Sequence, residues 1–168
     1  MTGKYIVRNE RIGFRPATED DIPHIIEMEK DDANSPYIRC WTREKHLAAI
    51  EDTNIAQVMV ETVDTHTIVG FVILIGLKDA DRNLEFKRIA IKDKGRGYGR
   101  VAVQLIKKFA FEKAGVHRLW LEVIEYNDRA RQLYESEGFV FEGTHRKSMK
   151  VGDKYFSLHV MSVLEEEC

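Results

Sequence analysis

The chain has 168 residues, enough for one domain (residues 1–168) with its own buried core. Hydrophobic residues make up 43% and charged residues 32%, an ordinary soluble composition, and a formal net charge of −2 argues against a nucleic-acid partner. Two cysteines, Cys40 and Cys168, are too few for a disulfide framework, and the six histidines show no metal-ligand spacing, so no metal is expected.

Met1 to Gly13 is polar and lacks an apolar signal-peptide core. The longest apolar run, Ile68 to Leu77, is too short for a membrane span. A reducing, cytoplasmic setting without a membrane partner is expected.

Ile12 to Arg15 reads as a short strand ended by Pro16. Thr18 and Asp21 have the spacing of a capping box, and Ile22, Ile25, Ile26 and Glu29 recur at helical spacing, which predicts a helix over 19–30. An acidic, broken stretch from Asp31 to Tyr37 follows, and Thr42 caps a second helix over 43–51. Ala56, Val58 and Val60 alternate with Gln57, Met59 and Glu61 as in a half-buried strand. Ile68 to Leu77 is apolar on both faces and belongs in the sheet centre. Leu84 to Ile91 forms the fourth strand, so the first four make an antiparallel meander.

That fourth strand carries an irregularity. Leu84 and Phe86 are apolar at even positions, Ile89 and Ile91 at odd ones. A β-bulge near Lys87-Arg88 would switch the faces and splay the strand from its neighbour; a strand buried on both faces is the other reading.

Lys94-Gly95-Arg96-Gly97-Tyr98-Gly99-Arg100 then joins this strand to a helix over 99–114. Three glycines permit positive φ and close backbone approach, and the helix points unpaired N–H groups back at the turn. With Lys92, Lys94, Arg96 and Arg100 beside it, the loop reads as a phosphate seat, or else as a tight strand–helix turn with solvated basic residues. It is neither a Walker A loop nor a dinucleotide fingerprint, because the glycine spacing fits neither. His117 to Val123 returns as a strand, completing a parallel crossover. Asn127 starts a fourth helix that Gly138 stops. Phe139 to Lys147 and Tyr155 to Val163 make a hairpin around Gly152-Asp153. The fold class is mixed α/β (α+β): about seven strands, a meander and then a βα crossover, four helices, and a fourth and fifth strand that splay apart.

Lys94-Gly95-Arg96-Gly97-Tyr98-Gly99 resembles the Gln/Arg-x-x-Gly-x-Gly/Ala signature of the GNAT superfamily of acetyl-CoA-dependent N-acetyltransferases, with Lys94 departing at the first position. A second family pattern runs from Asn127 through Ala130, Leu133 and Tyr134 to Gly138-Phe139. The resemblance covers about residues 10 to 164. The hairpin over 146–161 looks most like the branch that includes ribosomal-protein N-terminal acetyltransferases.

The resemblance implies transfer of acetyl from acetyl-CoA to a primary amine, on a small molecule, a polyamine or a peptide or protein amino terminus, by direct attack in a ternary complex. An alkylammonium with pKa near ~10.4 is neutral in only about one molecule per thousand at neutral pH, so a base or a water chain must take its proton. The oxyanion of the tetrahedral intermediate needs a fixed donor, and the leaving thiolate an acid. Glu85, upstream of the bulge, is the candidate base, or else an ordinary solvated carboxylate. Tyr134 is the candidate acid, or else a core tyrosine at helical spacing.

The cofactor is expected on the backbone of Ile89, Ala90 and Ile91 and on Lys94, Gly95, Arg96, Gly97, Tyr98, Gly99 and Arg100. Asn127 either reaches it or is a plain N-cap. The acceptor wall is expected to carry Glu29, Asp31, Asp32 and Tyr37, whose acids would attract a cation unless the loop is simply solvated. Trp41 serves as core or as acceptor platform. A non-catalytic CoA-binding sensor of the same fold is the alternative function. The resemblance also implies a homodimer through sheet edges or the last strands.

Overall fold

The computed structural model describes residues 3–168, so Met1 and Thr2 of the polar start lie outside it. One sheet organises the chain. Its strands are β1 (Val7–Arg8), β2 (Ile12–Pro16), β3 (Ile55–Thr62), β4 (Ile68–Ile75), β5 (Asn83–Ile91), β6 (Arg118–Ile124), β7 (Val140–Val151) and β8 (Lys154–Leu164). They lie in the order β1-β2-β3-β4-β5-β6-β8-β7. Every pairing is antiparallel except β5 with β6. The expected meander is β2 to β5. The added strand is β1, which pairs with β2 over two rungs; a two-residue strand is too short to show alternation.

Four α-helices cover the sheet: α1 (Ile22–Lys30), α2 (Arg43–Glu51), α3 (Tyr98–Lys108) and α4 (Asp128–Ser136). The capping box is present as expected, Asp21 accepting from the Thr18 N–H at 2.8 Å, although residues 19–21 wind as a 3-10 turn before α1. Thr42 caps α2 by accepting from the Lys45 N–H at 3.2 Å. The last turn after α3, Phe109–Lys113, is π-helical.

The helices divide between two faces, each with its own core. On the back face Ala102, Val103, Leu105 and Ile106 of α3, with Tyr134 of α4, pack on Leu84, Phe86, Leu119 and Leu121. On the front face Ile25 and Met28 of α1 and Ala49 of α2 pack on Met59, Phe71, Ile73 and Ala90. Fully burying a large apolar side chain contributes about 1.5–3 kcal/mol, so both helix layers are held mainly by these stripes.

The bulge falls where the parity switch of β5 places it. Ile73 pairs with Arg88 and the next residue, Leu74, pairs with Phe86, which leaves Lys87 as the extra residue. Leu84 and Phe86 before it, and Ile89 after it, then all face the back core. β5 and β6 hold together over only three rungs, Asn83↔Arg118, Leu84↔Leu119 and Glu85↔Trp120. Beyond them β5 stays with β4 as far as Ile91, and β6 stays with β8 as far as Ile124. The sheet is split from Glu85 upward.

Candidate active site

The split opens into a cleft of about 960 Å³. Its walls are β5 from Phe86 to Ile91, β6 from Leu121 to Ile124, the glycine loop, α4 and the α1–α2 connection at Asn34, Tyr37 and Ile38.

The glycine loop closes one end. Gly95 and Gly97 have φ of +91° and +79°, a region that residues with a Cβ rarely adopt. Gly97 is the N-cap of α3, and the N–H groups from Gly97 to Arg100 have no backbone acceptor among the described residues. They form an anion seat reinforced by the helix dipole. Lys94, Gly95, Gly97, Tyr98, Gly99 and Arg100 line the cleft.

Two of the expected cations are partly engaged within the protein. Arg100 Nη1 donates to Glu137 Oε2 at 2.7 Å and to Ser136 Oγ at 2.9 Å. Lys94 Nζ donates to the Ala33 carbonyl at 3.0 Å, tying the loop to the α1–α2 connection. Desolvation and the charge of Arg129 lower the Lys94 pKa, against the opposing pull of Asp31. Arg96 is exposed and lends its carbonyl to Arg11, whose guanidinium also lies over the Tyr98 ring.

Along β5, Ile89 and Ile91 line the cleft, while Ala90 turns its side chain into the front core. Asn127 lines the cleft as well, and its Oδ1 accepts from the Ala130 N–H at 3.2 Å. It is therefore an N-cap, whatever else it does.

Tyr134 stands in the cleft wall, packed edge-on against Phe86 at 5.7 Å and tilted on Phe139 at 5.7 Å. Desolvation pushes its pKa well above the ordinary phenol value, so it stays protonated across physiological pH. No hydrogen bond to its hydroxyl occurs among the described residues. The phenol is a fixed donor facing the cleft.

Glu85 sits elsewhere. It occupies the last closed rung of the β5–β6 ladder and lines a separate depression of about 390 Å³ with Trp120, Asn83 and Asp79. Burial raises its pKa; the charge of Lys87 lowers it and that of Glu122 raises it. Its carboxylate thus lies at the foot of the split without lining the cleft.

The expected acceptor wall is only partly assembled. Tyr37 lines the cleft, its ring tilted against that of Tyr126 at 5.9 Å. Asp31 and Asp32 are exposed and do not line it; Asp31 Oδ1 accepts from the Ala33 N–H at 2.8 Å, a local turn contact. Glu29 is 0% exposed. Its Oε2 accepts from Arg88 Nη1 at 2.5 Å, and its Oε1 lies 2.8 Å from His46 Nε2 and 3.3 Å from the Trp41 N–H. Its charge is spent inside the protein, so it is a structural carboxylate. Trp41 is 9% exposed, has Lys45 Nζ 4.5 Å and the Arg88 guanidinium 5.2 Å from its ring centre, and packs in the front core. Of the two readings left open for it, core is the one observed.

Among the charged residues that line the cleft, sequence reasoning missed five: Lys87, Arg88, Asp93, Glu122 and Arg129. Arg88 brings a guanidinium whose Nε is buried with no partner among the described residues. The signal for Glu122 was available. Leu119, Leu121 and Val123 alternate with Trp120, Glu122 and Ile124, which puts the carboxylate on the face opposite the back core.

Comparison with known proteins decides the family. The model of the GNAT acetyltransferase domain matches residues 11–140. The chain belongs to the GNAT acetyltransferases. A spermidine N(1)-acetyltransferase of Vibrio cholerae is 29% identical over 101 residues, 60% of this chain and 58% of that protein, so this match spans little more than half of the relative. The Escherichia coli K12 enzyme of the same name is 21% identical over 93% of this chain and 87% of its own. The crystal structure of the Vibrio cholerae spermidine N-acetyltransferase in complex with CoA and spermine superimposes with a TM-score of 0.84 at 23% identity, covering 95% of this chain and 98% of that one. A GNAT-family acetyltransferase from Bacillus anthracis gives 0.79 at 20% identity, covering 96% and 99%.

These relatives correct the finer resemblance: they are spermidine acetyltransferases, not ribosomal-protein N-terminal acetyltransferases. The co-substrate of this GNAT acetyltransferase is acetyl-CoA, and the free N–H groups of the glycine loop and the split beside it suit a pyrophosphate and an extended arm. Among the described residues no group of three or more His, Cys, Asp or Glu could hold a metal ion, and no helix is long and apolar enough to cross a membrane.

Proposed function

We propose that this acetyltransferase passes the acetyl group of acetyl-CoA to a primary amine of a polyamine, by direct attack in a ternary complex. The observation that carries the reading is the split itself. Three rungs of β5–β6 pairing end at Glu85, the Lys87 bulge follows, and Tyr134 faces the gap. A strand edge freed in this way pairs with the amides of the pantetheine arm along Ile89 to Ile91, as an added strand does. The loop from Lys94 to Arg100 receives the pyrophosphate.

The chemistry then divides among this chain's residues. The amine nitrogen bonds to the thioester carbonyl carbon and the C–S bond breaks. Tyr134 donates its proton toward the departing sulfur, a role suited to a phenol that burial keeps protonated. Glu85 takes the proton of the acceptor ammonium at the foot of the split. Its raised pKa matches it better to that transfer near neutral pH than an ordinary carboxylate.

A polyamine fits the front face, where Glu85 and Glu122 lie close enough for one charge to act on the other and Trp120 offers an aromatic surface. The spermidine acetyltransferase relatives support the same acceptor. The two exposed, unpaired cysteines suit a reducing cytoplasm. The exposed Val140 and Phe141 on the edge strand β7 suit assembly with further copies, as in the dodecameric Vibrio cholerae structure.

Calorimetry with CoA, followed by mass analysis of spermidine incubated with acetyl-CoA and protein, tests the reading. Binding with acetylated spermidine supports it. Binding with no acetylated amine supports the non-catalytic sensor instead.

A further inference from the structure

Acetyl transfer to an ammonium releases one proton to solution for each CoA thiol formed. The ammonium gives up one proton before attack, the attacking nitrogen loses a second as the amide forms, and the thiolate takes one of the two. Tyr134 accounts for delivery to sulfur. The other proton must leave a site whose candidate base, Glu85, is half-buried at the foot of a closed ladder.

Glu122 lies two residues beyond the last β5–β6 rung and on the same sheet face as Trp120, the rung partner of Glu85. It lines the cleft, and its charge acts on Glu85. Its Oε2 is 2.7 Å from His145 Nδ1, and the side chains of His145 and Glu122 are 57% and 22% exposed. The contact joins β6 to β7 across β8, at a point where Glu122 pairs with Val160 and His145 with Leu158. It is a hydrogen bond between the carboxyl group and the imidazole Nδ1, in which the tautomer decides the donor. Three titratable groups thus run from the foot of the split to open solvent, and none of them is absorbed by the back core.

We propose that Glu122 and His145 form the proton exit of this enzyme. The proton taken from the acceptor amine passes from Glu85 to Glu122, directly or over one water. It moves on to His145 Nδ1, the lone-pair nitrogen of the Nε2–H tautomer; the imidazolium so formed loses its Nε2 proton to buffer, and exchange with buffer at this exposed ring restores the Nε2–H tautomer, so one proton reaches solution per turnover. Glu122 and His145 are relay residues: they act on the reacting nitrogen through Glu85. The other charged group at Glu85 on β5 is Lys87, whose Nζ lies 3.9 Å from Glu85 Oε2. As a cation it discourages a proton from accumulating at that carboxylate. Arg118, 2.8 Å from Glu142, also donates to Asn83 Oδ1 at 3.2 Å and lies over the Trp120 ring, and Glu142 accepts from Ser162 as well, so the charges of this pair are engaged with partners other than Glu85 and Glu122.

The inference rests on the acetyl-transfer reading, and the test separates the two. Thiol release from acetyl-CoA with spermidine is followed at low and high imidazole concentration in the parent, Glu122→Gln and His145→Ala, with thermal melts to confirm folding. The parent is expected to be indifferent to imidazole. Both variants are expected to lose about tenfold in kcat at low buffer, a modest share of what proton transfer contributes. Imidazole is expected to restore His145→Ala, since that position is open to solvent. His145→Gln, which keeps a side-chain donor for Glu122, should respond to imidazole as His145→Ala does. Full activity of both variants at low buffer overturns the exit path. A loss that imidazole does not relieve in His145→Ala overturns it too, because it marks a structural role. A folded parent that binds CoA yet releases no thiol with spermidine or any other amine overturns the acetyl-transfer reading itself, and the exit path with it.

Discussion

Arg88 Nη1 and Glu29 Oε2 meet at 2.5 Å with almost no exposure on either side chain, joining the bulged strand β5 to helix α1 across 59 positions of sequence. Glu29 also holds His46 and the Trp41 N–H, and His46 Nδ1 lies 2.7 Å from Gln57 Oε1. One buried carboxylate therefore fixes α1, α2, β3 and the residue after the bulge relative to one another. Removing one member of such a pair leaves a buried charge without its partner. Glu29→Gln should destabilise the fold by roughly 3–5 kcal/mol in chemical denaturation, and Glu29→Gln with Arg88→Met should lose clearly less than the sum of the single changes. Strict additivity would show that the two residues do not act as a unit.

Tyr134→Phe keeps the packing on Phe86 and Phe139 and deletes only the hydroxyl. Turnover should fall by about 10²-fold with CoA affinity nearly unchanged. Steady-state rates together with calorimetry check both halves, and unchanged turnover removes Tyr134 from the mechanism.

Gly97 has room for a side chain, since a Cβ at that position would meet nothing nearer than Arg11 Nη1 at 3.8 Å, but its φ of +79° does not suit one. Gly97→Val should strain the α3 N-cap by roughly 1–2 kcal/mol and weaken CoA binding by about tenfold or more, because the anion seat must reshape. Normal CoA affinity in the folded variant would displace the pyrophosphate from this loop.

Glu85 keeps its proton to higher pH in the folded chain than in the unfolded one, through desolvation first and the Glu122 charge in addition, with Lys87 opposing. Between the ordinary carboxylate value and the raised one, the folded state binds more protons, so this group's contribution to stability falls as pH rises through that window. The rate should climb with pH through the raised value. Glu85→Gln should flatten both dependences, whereas Glu122→Gln should move the Glu85 midpoint downward. A rate profile for Glu85→Gln identical to the parent's would point to another base.

The parts of this fold that were legible in the sequence are those written in local pattern. The face switch between Phe86 and Ile89 pointed to a bulge near Lys87-Arg88, which the structure puts at Lys87, and Thr42 and Asn127 marked the starts of their helices. What stayed hidden depends on distant partners. Glu29 looked like a wall carboxylate because Arg88 and His46, its buried hydrogen-bond partners, are far away in sequence. The displacement of Glu85 from the cleft follows from where the β5–β6 ladder ends, and no strand pattern reports the length of a ladder. The Glu122–His145 contact spans two strands that become neighbours only through β8.

The most direct measurement of the central claim is the rate of CoA thiol release from acetyl-CoA with spermidine, set against amino acids, aminoglycosides and short peptides. Release is expected to depend on the polyamine and to saturate with it, with the other amines far slower. Release driven by peptide amino termini and not by spermidine would contradict the acceptor assignment, and CoA binding without release from any amine would contradict catalysis.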